Sequence, residues 1–393
     1  MKLKYFEFYN PVKILSGSKA LENIPTEMEY LNAARPFIIT DQGIVKTGLI
    51  KLIKSFFKAD QKKISFIFDK TPADSSLTVV KKLADIFRKK NCDCLVAVGG
   101  GSVIDTAKGV NILVGSNKKD LSQLVGVNNL KFPQKPLIVV PTTSGTGSEA
   151  TQAAVIYDEK QKIKLSFTSP TILPKTAVLD PRSTLSLPPL LTAATGMDAL
   201  THAVEAYSCL QKNPLSDVYA KASLEFIGKF FIKAVKKPHN KQARMGMANA
   251  SLMAGIAFSS SMVGAVHALG HALGAVAGLH HGNAMAILLP LVMQANLDKI
   301  GDIYGQLLLP LAGEKIYRKT PQSKRAQRMI DHIKSLNKKL NRLTAMPITL
   351  AQAGVKRKKL DQVARKALDD GTMALNPKDF EIEEIVKILN QAY

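Results

Sequence analysis

Four short apolar runs bounded by turn residues mark the first half of the chain: residues 36–40 (Pro-Phe-Ile-Ile-Thr), 64–68 (Ile-Ser-Phe-Ile-Phe), 94–98 (Cys-Leu-Val-Ala-Val) and 137–140 (Leu-Ile-Val-Val). Runs of this length and composition read as buried strands. Helical periodicity lies between them, as over 77–90, and further short strands are expected near 154–157 and 176–179. Strands alternating with helices imply a mostly parallel sheet with helices on its faces. The pattern changes across 181–189. Beyond Pro188-Pro189 the strand-like runs give way to long helical patterns that continue to the last residue. The expected architecture is α/β plus all-α, with an α/β domain over 1–187 and a helical domain over 188–393. No internal repeat or low-complexity tract interrupts it.

One helical stretch requires comparison with a membrane span. Residues 250–266 run for 17 positions without a charge and are rich in Gly, Ala and Ser. That is slightly short for a span, and no basic flank marks its ends. It reads as a buried helix whose small residues allow close approach, so no membrane partner is expected. The chain of 393 residues is 46% hydrophobic and 22% charged, ordinary values for a globular protein of about two domains. Its formal charge of +23 is large, yet the lysines are spread along the sequence. The densest stretch, 314–342, holds ten Lys/Arg against two acids but lacks interleaved aromatics or a nucleic-acid motif. It reads as a solvated helix face, with no nucleic-acid partner; the charge would help to steer an anionic cofactor. Cys92, Cys94 and Cys209 give no disulfide framework, and Cys92-Asp93-Cys94 is too tight for a zinc knuckle. Free thiols point to a reducing compartment. Residues 1–10 carry no apolar signal core, so the expected location is cytoplasmic.

Two loops suggest a nucleotide. After the run at 94–98 come Gly99, Gly100, Gly101 and Ser102, a glycine turn that opens a helix. Glycines let the backbone approach a phosphate, and amides at a helix start favour an anion. The spacing is neither G-x-G-x-x-G nor a Walker loop. A second loop, Pro141-Thr142-Thr143-Ser144-Gly145-Thr146-Gly147-Ser148-Glu149-Ala150-Thr151, follows the run at 137–140 and is dense in hydroxyls and glycines. Two such loops at the C-terminal ends of neighbouring parallel strands would line one crevice, where open α/β sheets bind ligands. Asp41 ends the run at 36–40. An acid there accepts hydrogen bonds from ribose hydroxyls and repels a 2′-phosphate, which favours NAD over NADP. The alternative role for Asp41 is a cap on the following helix.

The second half carries acid and imidazole groups at spacings that suit a divalent ion. The chain has 7 His, and four of them (His267, His271, His280, His281) fall within 15 positions. A fifth, His202, follows Asp198 by four. Residues i and i+4 share one face of a helix, so Asp198 and His202 can reach one atom, and so can His267 and His271. Imidazole nitrogen with carboxylate oxygen suits a borderline divalent metal. A lone His on an apolar helix is more often a satisfied core residue; two i,i+4 pairs in one Gly/Ala-rich region favour the metal.

These motifs together resemble the iron-containing (group III) alcohol dehydrogenases. The residues that carry the resemblance are Gly99-Gly100-Gly101-Ser102-x-x-Asp105, the loop Pro141 to Glu149, Thr195-Gly196-Met197-Asp198-Ala199-Leu200-Thr201-His202-Ala203-Val204-Glu205-Ala206-Tyr207, and His267-Ala268-Leu269-Gly270-His271 through to His281-Gly282. They occur in order over nearly the whole chain, with Leu179-Asp180-Pro181 between them. The resemblance implies a dehydroquinate synthase-like fold, a nucleotide-binding domain followed by a helical domain, with the site in the cleft. It implies metal ligands at Asp198, His202, His267 and His281, with Fe2+ as first expectation and Zn2+ as the other ion this set accepts. It moves His271 from ligand to a place beside nicotinamide and substrate, as candidate for proton exchange, and gives His280 no role. It implies NAD contacts at Asp41, Gly99, Gly100, Gly101, Ser102, Thr142, Thr143, Thr151 and Lys164. The expected activity is hydride transfer between NAD and a small primary alcohol or diol, giving the aldehyde, in a homodimer or larger homo-oligomer. A glycerol or hydroxyacid dehydrogenase is the nearer alternative. A dehydroquinate synthase-like lyase is more distant, because its Lys/Arg set is not evident around 141–205. The sequence departs from the family pattern at Asp74, which has no Asn before it, at Ser259-Ser260-Ser261, and at Ala272, where a Pro is frequent.

Overall fold

The computed structural model describes residues 5–116, 118 and 120–393. They divide into two compact units, Tyr9–Leu187 and Pro188–Tyr393, the second joined by the residues before Tyr9. The first unit holds nine strands among its described residues: β1 (Lys13–Ser16), β2 (Pro36–Ile39), β3 (Phe66–Phe68), β4 (Cys94–Gly99), β5 (Gly126–Val127), β6 (Leu137–Pro141), β7 (Ala153–Asp158), β8 (Ile163–Thr168) and β9 (Thr176–Leu179). Six form one sheet in the order β1-β9-β6-β4-β2-β3, every neighbouring pair parallel. A small second sheet has the order β5-β8-β7, with β7 and β8 antiparallel.

The expected strands at 36–40, 94–98, 137–140, 154–157 and 176–179 appear within a residue of their limits. The run at 64–68 forms strand only over Phe66–Phe68. Three strands were not expected from the pattern. β1 lies at the sheet edge with both end residues exposed, so it lacks a continuous apolar run. β5 has only two residues. β8 alternates, burying Leu165 and Phe167 while Lys164 and Ser166 face out.

The central strands are apolar throughout because both sheet faces are covered. Side chains alternate between faces along a strand. Leu95 and Ala97 of β4 pack in one cluster with α2 (Leu77–Lys89) and α3 (Gly101–Gly115), while Cys94, Val96 and Val98 pack in another with α1 (Leu49–Ala59). The chain leaves β2 for β3 on one side and returns to β4 on the other. The strand order therefore reverses between β2 and β4, the position at which open α/β sheets bind ligands beyond the strands' C-terminal ends.

The second unit contains only helices among its described residues. They include α4 (Pro189–Ser208), α5 (Pro214–Lys236), α6 (Lys241–Ser261), α7 (Ala265–Ala277), α8 (His281–Ala295), α9 (Leu297–Ala312), α10 (Arg325–Thr344), α11 (Leu360–Leu368) and α12 (Ile382–Ala392). α4 starts with a proline at its first position, where the missing N–H costs nothing. Apart from Asp198, His202, Glu205 and Tyr207 its residues are apolar or small, and it is buried from Gly196 to Ser208, packed by α5, α6 and α8.

The stretch 250–266 is not the single helix its composition suggests. α6 stops at Ser261, Met262 takes a left-handed φ of 67°, and α7 sets off at 103° to α6. With ψ at −170°, this is a region that non-glycine residues rarely enter, at a cost of roughly 1–3 kcal/mol, and a run of small helix formers gives no sign of it. Ala250, Ala254 and Ala257 are fully buried, and no single helix is long and apolar enough to cross a membrane. The basic stretch forms most of α10, which buries Met329, Ile330, Ile333 and Leu340 and leaves Lys338, Lys339 and Arg342 exposed. That is the solvated face its charge implies. All three cysteines are free and buried.

Candidate functional site

In the helical unit, α4 carries Asp198, His202 and Glu205, α7 carries His267 and His271, and His281 opens α8. The bend at Met262 reverses the chain so that α7 lays His267 beside α4. Asp198 Oδ1 lies 3.3 Å from His281 Nε2, 3.7 Å from His202 Nδ1 and 4.0 Å from His267 Nε2. One donor atom each from Asp198, His267 and His281 falls within 4.8 Å of the other two. His202 flanks this trio, its ring stacked on His267 with centroids 4.5 Å apart and on Phe258 at 4.2 Å. His271 stacks on His281 at 5.6 Å and does not join the trio. Thus i,i+4 spacing alone chose the wrong partner for His267, which converges with His281, fourteen positions on.

The trio fits a small cation. Asp198 Oδ1 and His267 Nε2 are buried and have no hydrogen-bond partner among the described residues. Such atoms are rare in folded proteins and need an explanation. Ligands about 2.0–2.2 Å from one ion stand roughly 3–3.5 Å from each other, close to the separations seen. Electrostatics agrees. Burial pushes His202 down to about 3 and His267 well below its ordinary value. Neutral imidazole is the form that offers a lone pair. For Asp198 burial acts upward, but His202, His281 and His267 together outweigh it and hold the carboxyl below its usual range.

Two carboxylates that the sequence did not single out orient these rings. Glu205 Oε2 sits 2.5 Å from His267 Nδ1, and burial pushes its carboxyl up to about 7. Asp370 Oδ2 sits 2.9 Å from His271 Nδ1, while its Oδ1 accepts from the N–H and hydroxyl of Thr372. Burial would raise Asp370, but the bond and charge of His271 and the Thr372 donors hold it below the usual carboxylate range. Glu205 could have been found, since it lies seven residues after Asp198 on the same helical face. Asp370 is 99 positions from its partner and carried no local signal.

In the α/β unit, β6, β4 and β2 are neighbours, so the residues that follow them gather at one edge of the sheet. Gly100 precedes α3, whose first amides form an anion-binding arrangement. A Cβ on Gly101 would stand 2.9 Å from Thr146 Cγ2, so the second loop packs closely on the first turn of α3. The loops are tied by the Thr142 N–H, which donates to Gly99 O at 3.0 Å, and Thr143 lies against Gly100. Ser102 donates its hydroxyl to Ala73 O. Asp41 follows β2 and accepts from Ile44 N–H at 3.0 Å, so it does cap the next helix. Lys164 Nζ is 3.7 Å from Asp74.

Thr151 is held by Lys108, a residue without a role in the sequence analysis. Lys108 is fully buried and its ammonium reaches Thr151 O and Ala153 O at 2.8 Å, Thr151 Oγ1 at 3.2 Å and Ser148 Oγ at 3.3 Å. Asp105 accepts from Ser148 Oγ at 2.8 Å and from Val155 N–H at 3.1 Å. Burial lowers Lys108 to about 8 against the attraction of Asp105 and Glu149. This cluster pins residues 148–155 to α3. Lys108→Met keeps the volume and strands the acids, so the variant is expected to lose roughly 3–5 kcal/mol, read from denaturant unfolding.

Comparison with known proteins identifies the family. The family model for iron-containing alcohol dehydrogenase matches residues 11–181, and that for the C-terminal part of the Fe-containing alcohol dehydrogenase family matches 192–393. The NAD-dependent methanol dehydrogenase of Bacillus methanolicus is 33% identical over 98% of this chain and 99% of its own. Alcohol dehydrogenase 4 of Saccharomyces cerevisiae is 34% identical over 98% of both chains. The crystal structure of a 1,3-propanediol oxidoreductase superposes with a TM-score of 0.94 at 33% identity, over 99% of this chain and 100% of that one. With both units matched and relatives similar end to end, the chain belongs to the iron-containing alcohol dehydrogenase family.

Proposed function

We propose that the protein is an NAD-dependent, metal-dependent alcohol dehydrogenase that interconverts a small primary alcohol or diol and its aldehyde. The observation that carries this reading is the trio of Asp198, His267 and the partly exposed His281, in which the buried Asp198 and His267 each leave a donor atom unpartnered. His202 is proposed as the fourth ligand, and Fe2+ as the ion, with Zn2+ suited to the same donors. The relatives named for methanol and 1,3-propanediol support the substrate class.

When bound, the ion supplies a Lewis acid for the alcohol oxygen and the nicotinamide supplies the hydride acceptor. The protein contributes orientation and charge. Asp198 is the one carboxylate in the proposed ligand set, so a divalent ion held there would keep a net positive charge, the chemistry that would favour ionisation of an alcohol. His271, partly exposed and anchored through Nδ1 to Asp370, is proposed to exchange the hydroxyl proton with solvent through its other nitrogen. Gly99, Gly100, Gly101, Ser102, Thr142 and Thr143 are proposed to take the pyrophosphate and nearby ribose, with Thr151 and Lys164 completing the set.

Asp41 is proposed to meet the adenosine ribose. Asp41→Ala is expected to raise the preference for NADP relative to NAD, read as the ratio of kcat/KM values. The lost cap should cost about 1 kcal/mol of stability. Assembly as a homodimer or larger homo-oligomer rests on the family resemblance and is checked by light scattering. A cytoplasmic location is supported by the three buried free thiols. The substrate class is tested by NADH formation from methanol, ethanol, 1,3-propanediol, glycerol and short hydroxyacids. The highest kcat/KM should fall on a primary alcohol or diol; a preference for glycerol or a hydroxyacid would overturn that assignment.

A further inference from the structure

Glu205 is 4% exposed, carries a charge-bearing group into the core and stands outside the trio of converging donor atoms. Its two oxygens are both committed. Oε1 accepts from the Val266 N–H at 2.7 Å, and Oε2 faces His267 Nδ1 at 2.5 Å. Behind it lies a small cavity of about 10 Å³, room for about one water, whose mostly apolar lining includes the polar side chains of Ser208, Asn296, Tyr304 and Asn376. Asn296 and Asn376 exchange hydrogen bonds at 3.0 and 2.9 Å, and Asn296 also reaches the Tyr304 hydroxyl at 3.3 Å. The carboxylate is thus held by a backbone amide at Oε1, and its Oε2 is aimed at one imidazole nitrogen.

We propose that Glu205 is a positioning residue that fixes His267 as the Nδ1–H tautomer and thereby presents a bare Nε2 lone pair to the ion. The inference rests on the metal-centre reading above. The ring has one proton to place when neutral. On Nδ1 it is donated to Glu205. On Nε2 it would be a buried N–H with no acceptor, and the Nδ1 lone pair would face a carboxylate oxygen at contact distance, so that tautomer is strongly disfavoured. Nε2 is the atom that the structure leaves unpartnered, 4.0 Å from Asp198 Oδ1. A carboxylate behind a ligating imidazole also raises its basicity, and removing such a partner typically weakens metal binding by about 10–100-fold. A neutral amide can occupy the space of the carboxylate but supplies less negative charge and offers an N–H that competes for Nδ1.

The test uses the full chain, stripped of metal, and titrates Co2+ and Zn2+ against a competing chelator. Glu205→Gln is expected to bind about 10–100-fold more weakly than the wild type with an unchanged metal-free melting temperature. Glu205→Asp, which keeps the charge but shortens the reach, should fall between the two. Nitrogen NMR of histidine-labelled, metal-free wild type should show His267 protonated at Nδ1. A folded Glu205→Gln that binds both ions as tightly as wild type overturns the proposal, and so does an Nε2–H tautomer in the wild type. Should Glu205→Gln fail to fold, Glu205→Asp and the tautomer measurement decide. A wild type that binds neither ion at this site would instead sink the metal-centre reading, while the tautomer signal still reports on Glu205.

Discussion

His267→Ala is expected to leave a protein that retains no divalent ion after dialysis and turns over alcohol at least about a thousandfold more slowly, since the Lewis acid contributes several kcal/mol to such a reaction. His267 is the hub of the site. Its ring touches those of His202, His271 and His281, and it is the ring that Glu205 holds. Truncation removes a donor and also strands the buried Glu205 carboxylate, so the fold should weaken as well. Elemental analysis of the dialysed protein, with circular dichroism to establish folding, separates the two effects. A folded variant with full metal and full rate would remove His267 from the centre.

Gly282→Ala should have the second large effect, although glycine has no chemistry of its own. A Cβ at this position would stand 2.3 Å from Ala194 O and 2.6 Å from its carbonyl carbon, both backbone atoms of α4. No side-chain rotation relieves that contact, so the first turn of α8 must move away from α4. His281 is the preceding residue and would move off Asp198 with it. We expect a loss of roughly 1–3 kcal/mol or more from overpacking, together with weaker metal binding, measured by thermal unfolding and by chelator competition. Gly274→Ala is the contrast. It lies within α7, and its Cβ would meet only Leu279 O at an ordinary 3.7 Å. Helix propensity alone should make it neutral or slightly stabilising. Equal behaviour of the two variants would show that close approach of α8 to α4 does not shape the site.

The sequence reveals features that are local and leaves unread those that are not. Apolar runs such as 94–98 and 137–140 announce buried strands because both faces of a covered parallel sheet demand apolar side chains. β1 lacks that signature because its end residues are exposed and its partner β9 lies far along the chain, and β8 because it alternates between buried and exposed residues beside its sequence neighbour β7. The acid and imidazole residues stand out through rarity and spacing. Spacing alone, however, pairs His267 with His271, whereas the turn at Met262 and the start of α8 bring His281 to Asp198 instead. The family resemblance anticipates that arrangement; periodicity does not. Glu205 and Asp370 bond to rings 62 and 99 positions away, and nothing near either acid in sequence marks its partner. Lys108 looks like one of many surface lysines until the structure places its ammonium among the carbonyls of Thr151 and Ala153. Asp41 shows the converse: both roles suggested by its position remain compatible, since an N-cap occupies one carboxylate oxygen.

The most direct test of the metal-dependent dehydrogenase is NADH formation by chelator-stripped protein with 1,3-propanediol and with ethanol, before and after addition of Fe2+ or Zn2+ without oxygen. The account predicts negligible turnover in the stripped protein, recovery with one equivalent of the ion, and no recovery in His267→Ala. Full activity in the stripped protein, or recovery that His267→Ala shares, would contradict it.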